Sequence, residues 1–168
     1  IDYAYNGHRT ELLDIYLGAN CRFFVNGMAG FGAIPYVFRR PILSTNWVPV
    51  EHLSSFNPKS ITIFKKHWLK DEHRFMIIRE ILESGAGRYL HTQDFDKHGI
   101  ELIENTPEEI RDGVIEMDER LKGTWQTTEE DEELQRRFWD ILPKSELNGV
   151  LHSRIGAEFL RQYQELLK

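Results

Sequence analysis

Residues 26–32, Asn-Gly-Met-Ala-Gly-Phe-Gly, carry the densest group of side chains and backbone positions that could hold a ligand. Glycines at 27, 30 and 32 let a backbone approach a bound group closely and adopt positive φ. An apolar run at 23–25 precedes them, a compact apolar segment at 33–38 follows, and a second short run, Ile42 and Leu43, comes next. That order predicts strand, glycine loop, helix, strand: the βαβ unit of a parallel sheet. In such a unit the ligand sits where the strand ends and the helix begins, and the unpaired N–H groups there favour an anion such as phosphate. The spacing is G-x-x-G-x-G, neither the G-x-G-x-x-G of dinucleotide folds nor a Walker loop, and no cation follows closely. The competing interpretation is a tight turn whose glycines serve packing alone.

Other candidates are weaker. Lys65, Lys66 and Arg74, with His67 among them, form the best basic cluster and are candidate anion contacts. Glu51 and His52 follow the second predicted strand and could reach the same crevice; a solvated loop is the plainer reading. The seven histidines are scattered without H-x-x-x-H or H-E-x-x-H spacing, so no metal site is expected. Asp94-Phe95-Asp96 spells D-x-D, but it sits in what reads as a surface turn. There is no G-x-S-x-G elbow, and the single cysteine, Cys21, lies beside an apolar run as an inert thiol would.

The elements that must position these residues belong to an α/β pattern. The chain has 168 residues, 40% hydrophobic and 29% charged, enough for one ordinary domain with a real core. Its net charge of −6 argues against a general nucleic-acid binder. No apolar run spans a bilayer, no signal-peptide pattern opens the chain, and one cysteine cannot build a disulfide framework. The chain opens on Ile1, which raises the expectation of a piece of a longer protein. The basic stretch 59–79 and the acidic stretch 101–133 read as solvated surface.

Thr10 caps a predicted helix that carries Leu13, Tyr16 and Leu17 on one face and stops at Gly18. A strand over 22–25 follows, then the glycine loop and a helix over 32–39 with Pro35 in its first turn. A strand over 42–44 comes next, with Thr45 and Asn46 at its end, then a loop over 47–60. Residues 61–64 are another strand candidate, and 76–83 a short helix ended by Gly85 and Gly87. Residues 99–104 alternate apolar and acidic as a half-buried strand does. Thr106, Pro107 and Glu109 give the clearest helix start, with Ile110, Val114, Met117 and Leu121 as its core stripe as far as Gly123. A helix over 129–141 is closed by Pro143, and a last helix over 155–167 carries Ile155, Phe159, Tyr163 and Leu166 on one face. The early two-thirds mix element types and the last third is helical, so the expected fold is α/β, a Rossmann-like parallel sheet flanked by helices.

The segment G-F-G-A-I-P-Y-V-F-R-R-P-I resembles E-G-F-G-L-P-x-L-E-x-x-x-x-G-x-P-V in the C-terminal half of GT-B glycosyltransferases. More closely, F-F-V-N-G-M-A-G-F-G-A-I-P-Y-V-F-R-R-P-I-L-S-T-N-W-V-P resembles a group of bacterial glycosyltransferases linked to surface carbohydrates. These read F-x-x-G-T-x-S-G-x-x-x-x-P-x-x-F-x-x-P-V and then N-x-x-P. G-I-E-L-I-E-N-T-P-E-E-I and R-I-G-A-E-F-L extend the likeness over roughly residues 10 to 165.

The resemblance implies the nucleotide-sugar-binding half of a two-domain enzyme. The nucleotide-sugar would be substrate, with no cofactor and no metal, and the acceptor half would be an N-terminal domain of the same chain. It implies that Asn26, Gly27, Met28, Ala29, Gly30 and Phe31 bind the donor diphosphate. Thr45, Asn46 and Glu51 would flank the donor crevice, with Lys65, Lys66 and Arg74 as further anion contacts. The last helix would cross back to the other domain. A cytoplasmic location is implied, either free or held at the membrane by the rest of the protein. Retaining enzymes of this fold carry two glutamates around the G-F-G segment. Ala29 stands at the first place, and Tyr36 or Val37 near the second. Met28 and Ala29 also replace the group's hydroxyl residues, so backbone N–H groups would have to hold the phosphates. These departures keep open a non-catalytic α/β scaffold or interaction domain, or another sugar-nucleotide enzyme such as an epimerase.

Overall fold

The computed structural model describes residues 2–5, 7–55, 57–142, 144 and 153–168. In chain order the elements are α1 (Glu11–Asn20), β1 (Phe24–Asn26), α2 (Ala33–Val37), β2 (Ile42–Trp47), β3 (Ile61–Phe64), β4 (Lys66–Leu69), β5 (Arg74–Phe75), α3 (Ile78–Glu83), α4 (Thr92–Lys97), β6 (Ile100–Ile103), α5 (Pro107–Lys122), α6 (Glu129–Ile141), β7 (Arg154–Ile155) and α7 (Ala157–Gln162). Short 3-10 turns at Gly30–Gly32, Val50–His52, Ala86–Arg88 and Gln164–Leu167 complete the path.

The fold is α/β: a four-stranded parallel sheet in the order β1-β2-β3-β7, flanked by helices. This arrangement is consistent with a Rossmann-like fold. β3 runs through Lys65 into β4, which leaves the parallel sheet and pairs antiparallel with β5 and β6 in a second, three-stranded sheet. The sequence does not announce the β4–β5 hairpin, because residues 65–75 are charged and turn-rich rather than alternating. The expected strand over 99–104 is present as β6, within this second sheet.

Leu43 on β2 and Ile61 on β3 face α5 and meet Met117, with Phe23, Val114 and Leu121 packed around them. A Cβ on Gly113 would sit 3.1 Å from Leu43, so α5 lies close on β2 because residue 113 has no side chain. Phe64, Phe138, Phe159, Leu160 and Ile155 form the larger core under α6 and α7. Burying a side chain of this size is worth about 1.5–3 kcal/mol, so this face supplies most of the cohesion.

The helix caps follow the sequence closely. Thr10 accepts from the Leu13 N–H; Thr106 and Glu109 form a capping box after which Pro107 begins α5; Gly123 ends it at φ +77°. Gly18 departs from expectation: α1 continues through it to Asn20, and a Cβ there would meet Ile34 Cγ2 at 2.8 Å. It is a packing glycine between α1 and α2. The face carrying Tyr16 and Leu17 is exposed, not core. Asp94-Phe95-Asp96 is helical, within α4, with Phe95 buried. The expected last helix is split: Ile155 is the edge strand β7, and the helix begins after Gly156. Ile155, Phe159, Tyr163 and Leu166 still share one core, so the apolar spacing identified the face but not the element. This end of the chain packs into the domain's own core. Pro143 lies outside the described residues.

The charge runs are not wholly solvated. Lys66, Glu109, Glu116 and Asp131 are buried, and each holds two elements together. Glu116 accepts from the first N–H of α7 at 2.7 Å, and Asp131 from Arg161 at 2.8 and 2.9 Å. Among the described residues, no helix is long and apolar enough to cross a membrane.

Candidate functional site

A hollow of about 340 Å³ opens on the face of the parallel sheet opposite α5. Asn26, Met28, Ala29 and Gly30 of the predicted loop line it, together with Gly32, Ala33 and Tyr36 beyond the loop. Strand residues Ile42, Ser44, Trp47, Ser60 and Thr62, and the connection residues Ser54 and Asn57, complete the wall. The strand register explains the floor. Asn26 pairs with Ser44 and Ser44 with Thr62, so one row of polar side chains crosses three strands on one face. Every described residue lining this hollow is uncharged at neutral pH.

The loop itself differs from the expected device. Met28 carries the positive φ, at +64°, while Gly27, Gly30 and Gly32 do not. Gly32 is instead needed for close approach, since a Cβ would lie 2.4 Å from Asn26 Nδ2. Asn26 thus closes the loop across its own base, and its Oδ1 accepts from the Ala29 N–H at 3.3 Å. The Gly32 N–H donates to Ala29 O, so two of the loop's donors are already engaged. α2 has only five residues, too few for the strong terminal dipole the βαβ argument supposed. Gly27 is exposed but does not line the hollow. Phe31 packs its ring on Phe24, with centroids 5.6 Å apart.

Thr45, Asn46 and Glu51 do not line the hollow either. Thr45 is buried on the opposite side of β2 from Ser44, with its hydroxyl donating to Asn26 O at 3.4 Å. Asn46, in the left-handed region at φ +55°, exchanges two hydrogen bonds of 2.6 Å with Asn105. Glu51 is buried against Gly87 and accepts from Arg88 at 2.7 Å. These three stabilise joints of the fold.

The proposed anion contacts are likewise spoken for. Lys65 pairs with Glu104 at 3.1 Å, and Arg74 binds both oxygens of Glu80 at 2.7 Å. Lys66 is 2% exposed and pairs at 2.5 Å with Glu109, itself 2% exposed. Glu109 also accepts from Tyr163 Oη at 2.5 Å, Asn105 Nδ2 at 3.0 Å and the Thr106 N–H at 3.1 Å. Burial pushes the Glu109 carboxyl up, but hydrogen bonds from Lys66, Tyr163 and Asn105 outweigh it and hold the group below its usual range. Burial, and then Glu109, push the Tyr163 hydroxyl well up. The N-W-V-P, E-N-T-P-E-E-I and R-I-G-A-E-F-L segments therefore meet structural joints: Asn46 with Asn105, Glu109 with Lys66, and Gln135 with both main-chain groups of Ile155.

Among the described residues, no group of histidine, cysteine and carboxylate side chains could hold a metal ion. Cys21 is half-buried, its Sγ donating to Gly18 O, and burial raises its pKa. Ser44, Ser54, Asn57, Ser60 and Thr62 were missed by attention to the glycines. Their signal was present in alternation: Ser60 and Thr62 flank Ile61, and Ser44 follows Leu43, so polar and apolar residues take opposite faces. Comparison with protein-family models, curated proteins and solved structures finds no match.

Proposed function

We propose that this chain is the nucleotide-sugar-binding domain of a GT-B glycosyltransferase that transfers a sugar to a surface-carbohydrate acceptor. The observation that carries the reading is the neutral, hydroxyl- and amide-lined hollow bounded at one end by the 26–30 loop. Such a wall suits a ligand rich in hydroxyls, because Ser, Thr and Asn side chains both donate and accept. The sequence resemblance supplies the reaction class. In that reaction an acceptor hydroxyl attacks the anomeric carbon while the enzyme stabilises the departing diphosphate electrostatically. Among the described residues no carboxylate lines the hollow, so in this reading the general base comes from another domain of the same protein, and this chain alone binds but does not turn over.

Titration with uridine, guanosine and cytidine diphosphates, followed by backbone amide shifts, tests this. Shifts concentrated at residues 26–32 are expected with one of them. Shifts elsewhere, with that loop silent, would remove the site.

A second reading, a non-catalytic α/β interaction domain, is favoured by the absence of charged groups among the described residues of the hollow and by the engaged loop donors. Placing a bulky residue at 30 separates the two. A Cβ there meets nothing within 4 Å, so Gly30→Leu should keep the fold while placing a bulky side chain at the edge of the hollow. Nucleotide binding lost on a folded background supports the enzyme domain.

A further inference from the structure

The sheet-face hollow contains two hydroxyls that the fold leaves unused. Ser44 is 8% exposed and Thr62 3%, and both line the hollow. They are register partners on adjacent parallel strands, about 4.8 Å apart in the hydrogen-bonding direction. Among the described residues neither hydroxyl has a hydrogen-bond partner, unlike Ser60, whose Oγ accepts from the Ile42 N–H. A pair of hydroxyls with no partner among the described residues, facing a hollow, is placed to bond water or a ligand there. A hollow of this volume lies in the range that holds a small ligand. Among the described residues no charged group lines the hollow beside this pair, so the groups that meet the two hydroxyls are neutral ones.

A second hollow adjoins the first and shares Tyr36 and Asn57 as walls. Its lining adds Arg39 and Lys59, both exposed. Neither cation forms an ion pair among the described residues, in contrast to Lys65, Lys66 and Arg74, which each hold a carboxylate. The neutral polar hollow therefore opens beside a cationic one.

We propose that the two hollows together bind a saccharide unit bearing an anionic substituent. Its ring hydroxyls bond Ser44 and Thr62, and its carboxylate or phosphate lies between Arg39 and Lys59. This rests on the crevice being the ligand site, as proposed above, but it requires no nucleotide. It assigns the charge-reading role to Arg39 and Lys59 in place of the 65–74 cluster.

The test uses the chain with glucose, glucuronate and glucose 6-phosphate as separate probes, monitored by amide shifts. All three are expected to shift residues 44 and 62, with the acids binding about fivefold tighter than glucose, the ratio expected of a partly exposed charge contact. Whether glucuronate or glucose 6-phosphate binds tighter tells carboxylate from phosphate. Arg39→Ala with Lys59→Ala should abolish the acid preference while glucose binding persists. Ser44→Ala with Thr62→Val should abolish binding of all three.

The Arg39/Lys59 pair is exposed, so its loss tests the idea even if the strand variants do not fold. Equal affinity for glucose and the acids overturns the proposal, as do shifts confined to residues other than 44 and 62, or silence from all three sugars. Acids shifting 44 and 62 while nucleoside diphosphates leave 26–32 silent would uphold this proposal and remove the nucleotide-sugar reading. The converse pattern would do the reverse.

Discussion

Replacing Glu109 by Gln is the sharpest perturbation available in this fold. The carboxylate ties β4, the β6–α5 junction and α7 together through Lys66, Asn105, Thr106 and Tyr163. Glutamine keeps the volume but removes the charge, leaving the Lys66 ammonium buried at 2% exposure without a counter-ion. Breaking a buried pair from one side costs about 3–5 kcal/mol. For a domain of this size each kcal/mol moves Tm by about 2–4 °C, so Glu109→Gln should lower Tm by roughly 10 °C. Adding Lys66→Met removes the stranded charge and should recover part of that loss, because the penalty lies in the unpaired ion more than in the pair. The pH dependence has a definite sign. Glu109 sits below its ordinary pKa when folded, so its contribution is present above the carboxylate range and fades as pH falls through the folded value. The glutamine variant lacks that component. Urea unfolding of the two single variants and the double variant completes the cycle. A loss under about 1 kcal/mol for Glu109→Gln, or a double variant less stable than the sum of the singles, would refute this account of the network.

Further outcomes follow from other joints. Asn46→Ala should cost about 2 kcal/mol in urea unfolding, since it strands the Asn105 N–H and places a Cβ-bearing residue without a side-chain bond at φ +55°. His67 is buried, its Nδ1–H bonded to Lys65 O while Nε2 has no partner, and burial lowers its pKa to about 4. The unfolded chain therefore takes up a proton that the folded one refuses between about pH 6.5 and 4. Stability should fall by roughly 2 kcal/mol from pH 7 to 5 relative to His67→Gln. Parallel pH profiles for the two proteins would contradict it. Gly32→Ala should displace Asn26 and move its side-chain amide resonances, whereas Gly30→Ala should leave them in place.

How much of this could be read from the chain depended on whether the cause was local. The Thr106–Pro107–Glu109 start of α5 and the Gly123 stop are local chemistry, and they appear as expected. The role of Glu109 as counter-ion to Lys66 is not local: the partners lie 43 residues apart and meet only once β4 folds back beside α5. For the same reason the run of basic residues at 65–74 looked like one anion site and became separate ion pairs. Gly18 was read as a stop because a glycine near a helix end has that local meaning, but α1 continues through it to Asn20 and packs it against Ile34. In the candidate crevice the loop was legible through its glycines. The floor required two strands to be laid side by side in register, which no window along the chain contains.

In the function proposed above, a nucleotide-sugar occupies the hollow at the 26–30 loop. The direct measurement is an amide-shift titration of the wild-type chain and Gly30→Leu with nucleoside diphosphates and their sugar conjugates. The account predicts saturable shifts at residues 26–32 with a diphosphate, additional shifts at 44 and 62 with its sugar conjugate, and loss of both in the folded Gly30→Leu protein. A folded Gly30→Leu protein that binds as tightly as wild type would contradict it, as would a wild-type loop unmoved by every ligand.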